Sequence, residues 1–210
     1  MRNLERTIRG AIQRVNANVR EHPLAFLTES DIQCQLNASL LPTYGSLQAI
    51  SNTSVWGTAQ PRAPKLLNSM RLHSELLLPE GRIDLAVLDL RATRFAFNSN
   101  GRFGFAQLES GSHAFIEIKV SRTHRSGIST RGRWLQFLRA DIDKLRRYPW
   151  LSFLLAYDFD FRLPQKEISV LSRLAGPRTR VVYLKDVFEC CYLEETSRNK
   201  LLQQKSHQPL

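Results

Sequence analysis

After Pro149 the chain reads Trp-Leu-Ser-Phe-Leu-Leu-Ala-Tyr, with no charged side chain before Asp158. A strand made of Leu151 to Tyr157 has no face to offer to water, so it requires a sheet covered by helices on both sides. The flanking segments fit that requirement. Leu4, Ile8, Ile12, Val15 and Val19 recur at helical spacing, with Arg2, Arg6, Arg9, Arg14 and Arg20 on other faces. Further helices are predicted over residues 28–41, stopped by Pro42 and Gly45, over 134–148, ended by Pro149, and over 164–175, closed by Gly176-Pro177. Strands are predicted at 71–78, 82–90, 114–120 and 179–184. The resulting organisation is an amphipathic helix (1–22), an α/β domain (23–196) and a polar tail (197–210). Residues 44–68, rich in Ser, Thr, Gly and Pro, are either a functional loop or an unrecognised element.

Three charged residues interrupt the apolar strands: Asp84 in one, Glu117 and Lys119 in another. A charge in a sheet core costs several kcal/mol unless it is compensated. Alternation sends Glu117 and Lys119 to one face, roughly 6.6 Å apart, and Ile116, Ile118 and Val120 to the other. Asp84 is expected to join them from a neighbouring strand, with Ile83 and Leu85 together on its opposite face. Two such carboxylates repel, which raises one pKa unless a divalent cation neutralises both. Mg²⁺ suits the site because it takes few carboxylates and keeps open water positions, and Mn²⁺ is a natural substitute. A lysine beside it can orient or help deprotonate a water and stabilise charge on a phosphate. Glu-x-Lys alone is equally at home as a surface ion pair; its combination with Asp84 in a second apolar strand favours the metal reading. Glu29 is a further candidate, although Thr28 and Asp31 around it read as a helix cap. Glu75 is an accessory acid or a solvated edge residue.

An acid in a strand, Glu-x-Lys in the next, a glutamate on an upstream helix and a long helix downstream together resemble the PD-(D/E)xK nuclease superfamily. The similarity spans about residues 28–158. It implies a restriction-endonuclease-like core, a central mixed sheet flanked by helices on both faces. It also implies catalytic roles for Asp84, Glu117, Lys119 and Glu29, with one or two Mg²⁺ on Asp84, Glu117 and the main-chain carbonyl of Ile118. Ile83 stands where the family name has proline. The implied activity is endonucleolytic hydrolysis of DNA, leaving a 5′-phosphate without a covalent intermediate. An RNA-directed nuclease and a non-cleaving nucleic-acid-binding or assembly subunit are the alternatives.

The formal net charge of +11 agrees with a polyanionic partner. Residues 121–133 carry Arg122, Arg125, Arg131 and Arg133 and no acid, so they rank first for phosphate contacts; the alternative is a basic loop without a fixed structure. At about 91–112, Phe95, Phe97, Phe103 and Phe105 flank an Asn-Gly turn and predict a hairpin insertion. Its aromatics either stack on bases or pack on the body. Cys34, Cys190 and Cys191 suggest neither a disulfide framework nor a zinc site. No apolar run reaches the length of about 18 residues that a membrane span needs, and no secretory signal is recognisable, so a soluble cytoplasmic protein without a membrane partner is expected. The first helix is a packing appendage or a basic arm that faces DNA or a second copy; for the chain as a whole, a homodimer or a partner protein is the further expectation.

Overall fold

The charge-free run forms the strand that the rest of the sheet is built around. The computed structural model describes residues 2–26, 28–50, 53–55, 67–97, 103–121 and 130–185. Among them are four α-helices: α1 (Arg2–Glu21), α2 (Glu29–Tyr44), α3 (Arg131–Arg146) and α4 (Gln165–Ala175). The strands are β1 (Gln48–Ile50), β2 (Thr53–Val55), β3 (Leu67–Ser69), β4 (Leu72–Leu78), β5 (Gly81–Val87), β6 (Thr93–Phe97), β7 (Phe103–Leu108), β8 (Ala114–Ser121), β9 (Leu151–Asp158) and β10 (Thr179–Leu184). The central sheet has the order β10-β9-β8-β5-β4, with β9 parallel to both neighbours and β5 antiparallel to β8 and β4. It is a five-stranded mixed sheet in an α/β fold.

Alternation along β8 sorts the two layers. Ile116, Ile118 and Val120 pack with Ile8, Ile12, Ile32 and Leu36 of α1 and α2. Phe115 packs on the other side, with Trp134, Leu138 and Ile142 of α3 and Leu171 of α4. The apolar stripe of α1 is therefore part of the main core.

Several boundaries differ from expectation. α2 runs through Pro42 to Tyr44, because a proline in the last turn removes a single helical donor and the Gly45 N–H still closes on the Leu41 carbonyl at 2.8 Å. β5 stops at Val87 rather than at residue 90: Asp89 caps a short turn, accepting from the Arg91 N–H at 3.2 Å. α3 begins at Arg131, three residues early, because Thr130 accepts from the Arg133 N–H at 3.2 Å and caps it. Among the described residues of 44–69 are three short strands. β1 pairs with β3, and β2 joins β6 and β7 in a small sheet.

The hairpin insertion exists, with its turn outside the described residues. Phe95 and Phe97 are buried on the body beside Leu76 and Leu78, and Phe95 meets the His73 ring at 5.8 Å. These two rings pack rather than face a base, while Phe103 stays 46% exposed.

One buried polar cluster fastens the sheet to the start of α3. Asp158, fully buried, accepts from Ser121 Oγ at 2.8 Å, from the Tyr183 hydroxyl, and from the N–H groups of Phe161 (2.7 Å), Leu163 (3.0 Å) and Asp160 (3.3 Å). Trp134 Nε1 donates to the same Tyr183 oxygen at 3.2 Å. Asp158→Ala strands all these donors and should lower stability by about 3 kcal/mol or more. Denaturant unfolding checks this, and Asp158→Asn, which keeps an acceptor, should lose less.

Candidate active site

Asp84 lies where the sheet's regular pairing fails on both sides. β4 and β5 keep one register along their length, yet the pair Glu75–Asp84 is missing from it. Glu75 has φ 54°, a left-handed conformation uncommon for a side chain other than glycine. The core sorts accordingly. Leu72, Leu85 and Val87 pack with the α1/α2 layer, whereas Leu76, Leu78 and Ile83 pack with the α3/α4 layer. Both strands exchange faces at this pair, so Ile83 and Leu85 lie on different faces instead of sharing the one opposite the acid.

On the other side, the β5–β8 ladder ends at Leu85–Ile116. Alternation aims the Ile118 N–H at β5, and it donates to Asp84 Oδ2 at 2.8 Å. The Asp84 carbonyl accepts from the Gln33 amide of α2, which also donates to Glu75 Oε1 at 3.0 Å. Side chains thus complete the bonding that a continuous sheet would provide.

Helices from opposite faces meet at this gap. Lys119 Nζ is 3.5 Å from Glu29 Oε2 at the start of α2 and 3.6 Å from Asp141 Oδ2 on α3. Glu117 is 1% exposed; its Oε2 lies 2.7 Å from Lys144 Nζ, and its Oε1 has no hydrogen-bond partner. Lys144 Nζ also donates to the Arg82 carbonyl at 3.0 Å and is 3.8 Å from Asp141 Oδ1. Asp141 Oδ2 is likewise buried without a hydrogen bond.

The electrostatics follow from this crowding. Burial and the nearby Asp84 push the Glu117 carboxyl up to about 8, against the pull of Lys144. Burial also raises Asp141 and Glu29. For Lys119 burial works downward, but Asp141, Glu29, Asp84 and Glu117 together outweigh it and hold its pKa above the usual lysine value. Lys119 is therefore an ammonium donor at neutral pH. With every group ionised, four carboxylates face two ammonium groups, a surplus of negative charge that a divalent cation would offset.

The donor set fits such an ion. A buried carboxylate oxygen without a partner stands near a second carboxylate. Among the described residues, no three His, Cys, Asp or Glu side chains are arranged to enclose a metal by themselves. An ion here would draw its remaining ligands from water, main chain or substrate, which is the habit of Mg²⁺.

Asp84, Glu117, Lys119 and Glu29 are thus brought together. Thr28 and Asp31 do form the cap, with the Thr28 N–H donating to Asp31 Oδ2 at 2.8 Å, and this leaves the Glu29 carboxylate to face Lys119. Glu75 stands on the exposed rim, paired with Arg82 at 2.7 Å. Ile118 buries its side chain in the α1/α2 layer and offers its N–H to Asp84. Arg122 and Arg125 lie outside the described residues. Arg131 belongs to the first turn of α3 rather than to the expected loop, and both carboxylate oxygens of Glu167 on α4 accept from its guanidinium. Arg133 is exposed over the Phe137 ring, 5.8 Å from its centroid.

Three contributors escaped the sequence reading: Gln33, Asp141 and Lys144. Asp141 had a legible signal. It lies on the stripe Leu138, Ile142 and Leu145 that α3 turns inward, where an acid needs a partner. Gln33 follows Glu29 by one helical turn on α2. No protein-family model, curated protein or solved structure matches this chain. Among the described residues, no helix is long and apolar enough to cross a membrane.

The raised Glu117 pKa has a consequence for stability. Between its ordinary value of 4.5 and about 8, the folded protein holds a proton that the unfolded chain has released. Its contribution is therefore fully present at low pH and is lost as pH rises toward about 8. Thermal unfolding with a chelator should show the midpoint falling across that window, and Glu117→Gln should flatten the fall; a midpoint equally steep in the variant would contradict the assignment.

Proposed function

We propose that this chain is a metal-dependent phosphodiesterase that cleaves DNA on a restriction-endonuclease-like fold of the PD-(D/E)xK type. The observation that carries the reading is the convergence of Asp84, Glu117, Lys119 and Glu29 on one gap in the sheet, where a buried Glu117 oxygen has no partner. A surface ion pair would not bring acids from α2, β5 and β8 around a half-buried lysine, nor leave a buried carboxylate oxygen unsatisfied.

Asp84 and Glu117 would hold Mg²⁺, with the Ile118 carbonyl available beside them. The ion, when bound, supplies charge neutralisation for a phosphodiester and lowers the pKa of a water. Lys119, kept protonated by Glu29 and Asp141, donates hydrogen bonds: it orients the attacking water and offsets charge building on the phosphoryl oxygens. The water adds to phosphorus in line, the bond to the 3′ oxygen breaks, and that oxygen leaves with a proton while the 5′-phosphate retains the hydroxyl. The structure favours a donating lysine over a proton-abstracting one, because the acids around it oppose its deprotonation.

Circular and linear DNA, and the corresponding RNA, incubated with Mg²⁺ or Mn²⁺ test the reading. DNA circles should be opened, which marks an endonuclease. Asp84→Ala and Lys119→Ala should each lower the rate by about 10³-fold while folding and DNA binding persist. Undiminished cleavage by either variant would refute the site. Binding without cleavage of either polymer would identify a non-cleaving subunit instead.

A further inference from the structure

We propose that Lys144 is an internal counter-ion for the metal site, a cation that occupies Glu117 until a divalent ion displaces it. The inference rests on the metal-site reading above and concerns how that site is loaded. Glu117 is almost completely buried, and of its two oxygens only Oε2 has a partner, the Lys144 ammonium at 2.7 Å. A buried carboxylate facing a second acid needs a positive charge nearby, and Lys144 is the cation placed to supply it.

The geometry also gives the displaced ammonium somewhere to go. It already donates to the Arg82 carbonyl at 3.0 Å, and Asp141 Oδ1 stands 3.8 Å away on the same helix, one turn back. A rotation of the long lysine side chain, which is partly exposed, exchanges Glu117 for Asp141 without moving α3. Lys119 is differently placed. It sits between Glu29 and Asp141 and makes no ion pair with Glu117, so it can remain while the ion enters. The two lysines therefore divide the work: Lys119 belongs to the chemistry, and Lys144 keeps the site closed to adventitious cations and balanced without one.

Competition of this kind makes a distinctive prediction. Lys144→Met removes the competing cation, so the variant should bind Mg²⁺ about tenfold more tightly than the wild type in calorimetric titration at about pH 9, where proton competition for Glu117 is small. Arg146→Met serves as the control: it removes a charge from the same helix, where Arg146 pairs only loosely with Asp143 at 3.9 Å, and it should leave the affinity nearly unchanged. Equal or weaker binding by the Lys144 variant overturns the proposal while leaving the metal site intact, as does an equal gain in the control, which would reveal a general field effect. Absence of Mg²⁺ binding in the wild type and in the variant alike overturns the metal-site reading and this inference with it. If Lys144→Met does not fold, the wild type carries the test. The Lys144 ε-methylene resonance should shift on Mg²⁺ addition, and a stationary resonance overturns the displacement.

Discussion

A hydrogen bond from the Ile118 N–H to the Asp84 carboxylate joins two strands whose regular pairing has already stopped. In a continuous antiparallel ladder that donor would face a carbonyl, and no acid would have room between the strands. Here the ladder ends at Leu85–Ile116, and the Glu75–Asp84 pair is lost from the next one. The positive φ of Glu75 and the Gln33 amide accommodate the interruption. Residues held in sparsely populated backbone regions tend to persist where the surroundings over-determine them, often at functional sites. The exchange of faces by β4 and β5 at this point is the packing side of the same event.

The gap decides which charges meet. α2 lies on one face of the sheet and α3 on the other, and a closed sheet would keep Glu29 and Asp141 apart. Both instead reach Lys119, at 3.5 and 3.6 Å. Burial makes Glu117, Asp141 and Glu29 harder to ionise, and the acids around Lys119 hold it charged, so these members are interdependent. Such a network is costly when half satisfied. The buried oxygens of Glu117 and Asp141 that lack a hydrogen bond are where that cost remains visible.

Away from the gap, the sheet is conventional and heavily tied. Asp158 gathers Ser121 from β8, Tyr183 from β10 and three backbone donors that follow β9, and Trp134 adds the start of α3 through the same tyrosine. α3 is thereby anchored one end at a time: Trp134 at its beginning, then Asp141 and Lys144 further along at the charged cluster. A rigid helix is what allows Lys144 to be placed within 2.7 Å of Glu117.

Periodicity made the helices and most strands legible, because burying one stripe or one face leaves a repeat that can be read directly. The charge-free stretch 151–157 required a doubly covered sheet, and β9 occupies that position between two parallel neighbours. Asp84, Glu117 and Lys119 stood out for a related reason, since a charge inside an apolar strand must be compensated. Asp141 carried the same kind of signal on a helix, diluted by the charged residues around it. Tertiary structure alone decided the rest. That β4 and β5 trade faces, that Arg131 is tied to Glu167, and that Lys144 rather than Lys119 pairs with Glu117 depend on where strands stop pairing and which helix faces converge. These are relations between segments far apart in the chain, and a local repeat carries no record of them.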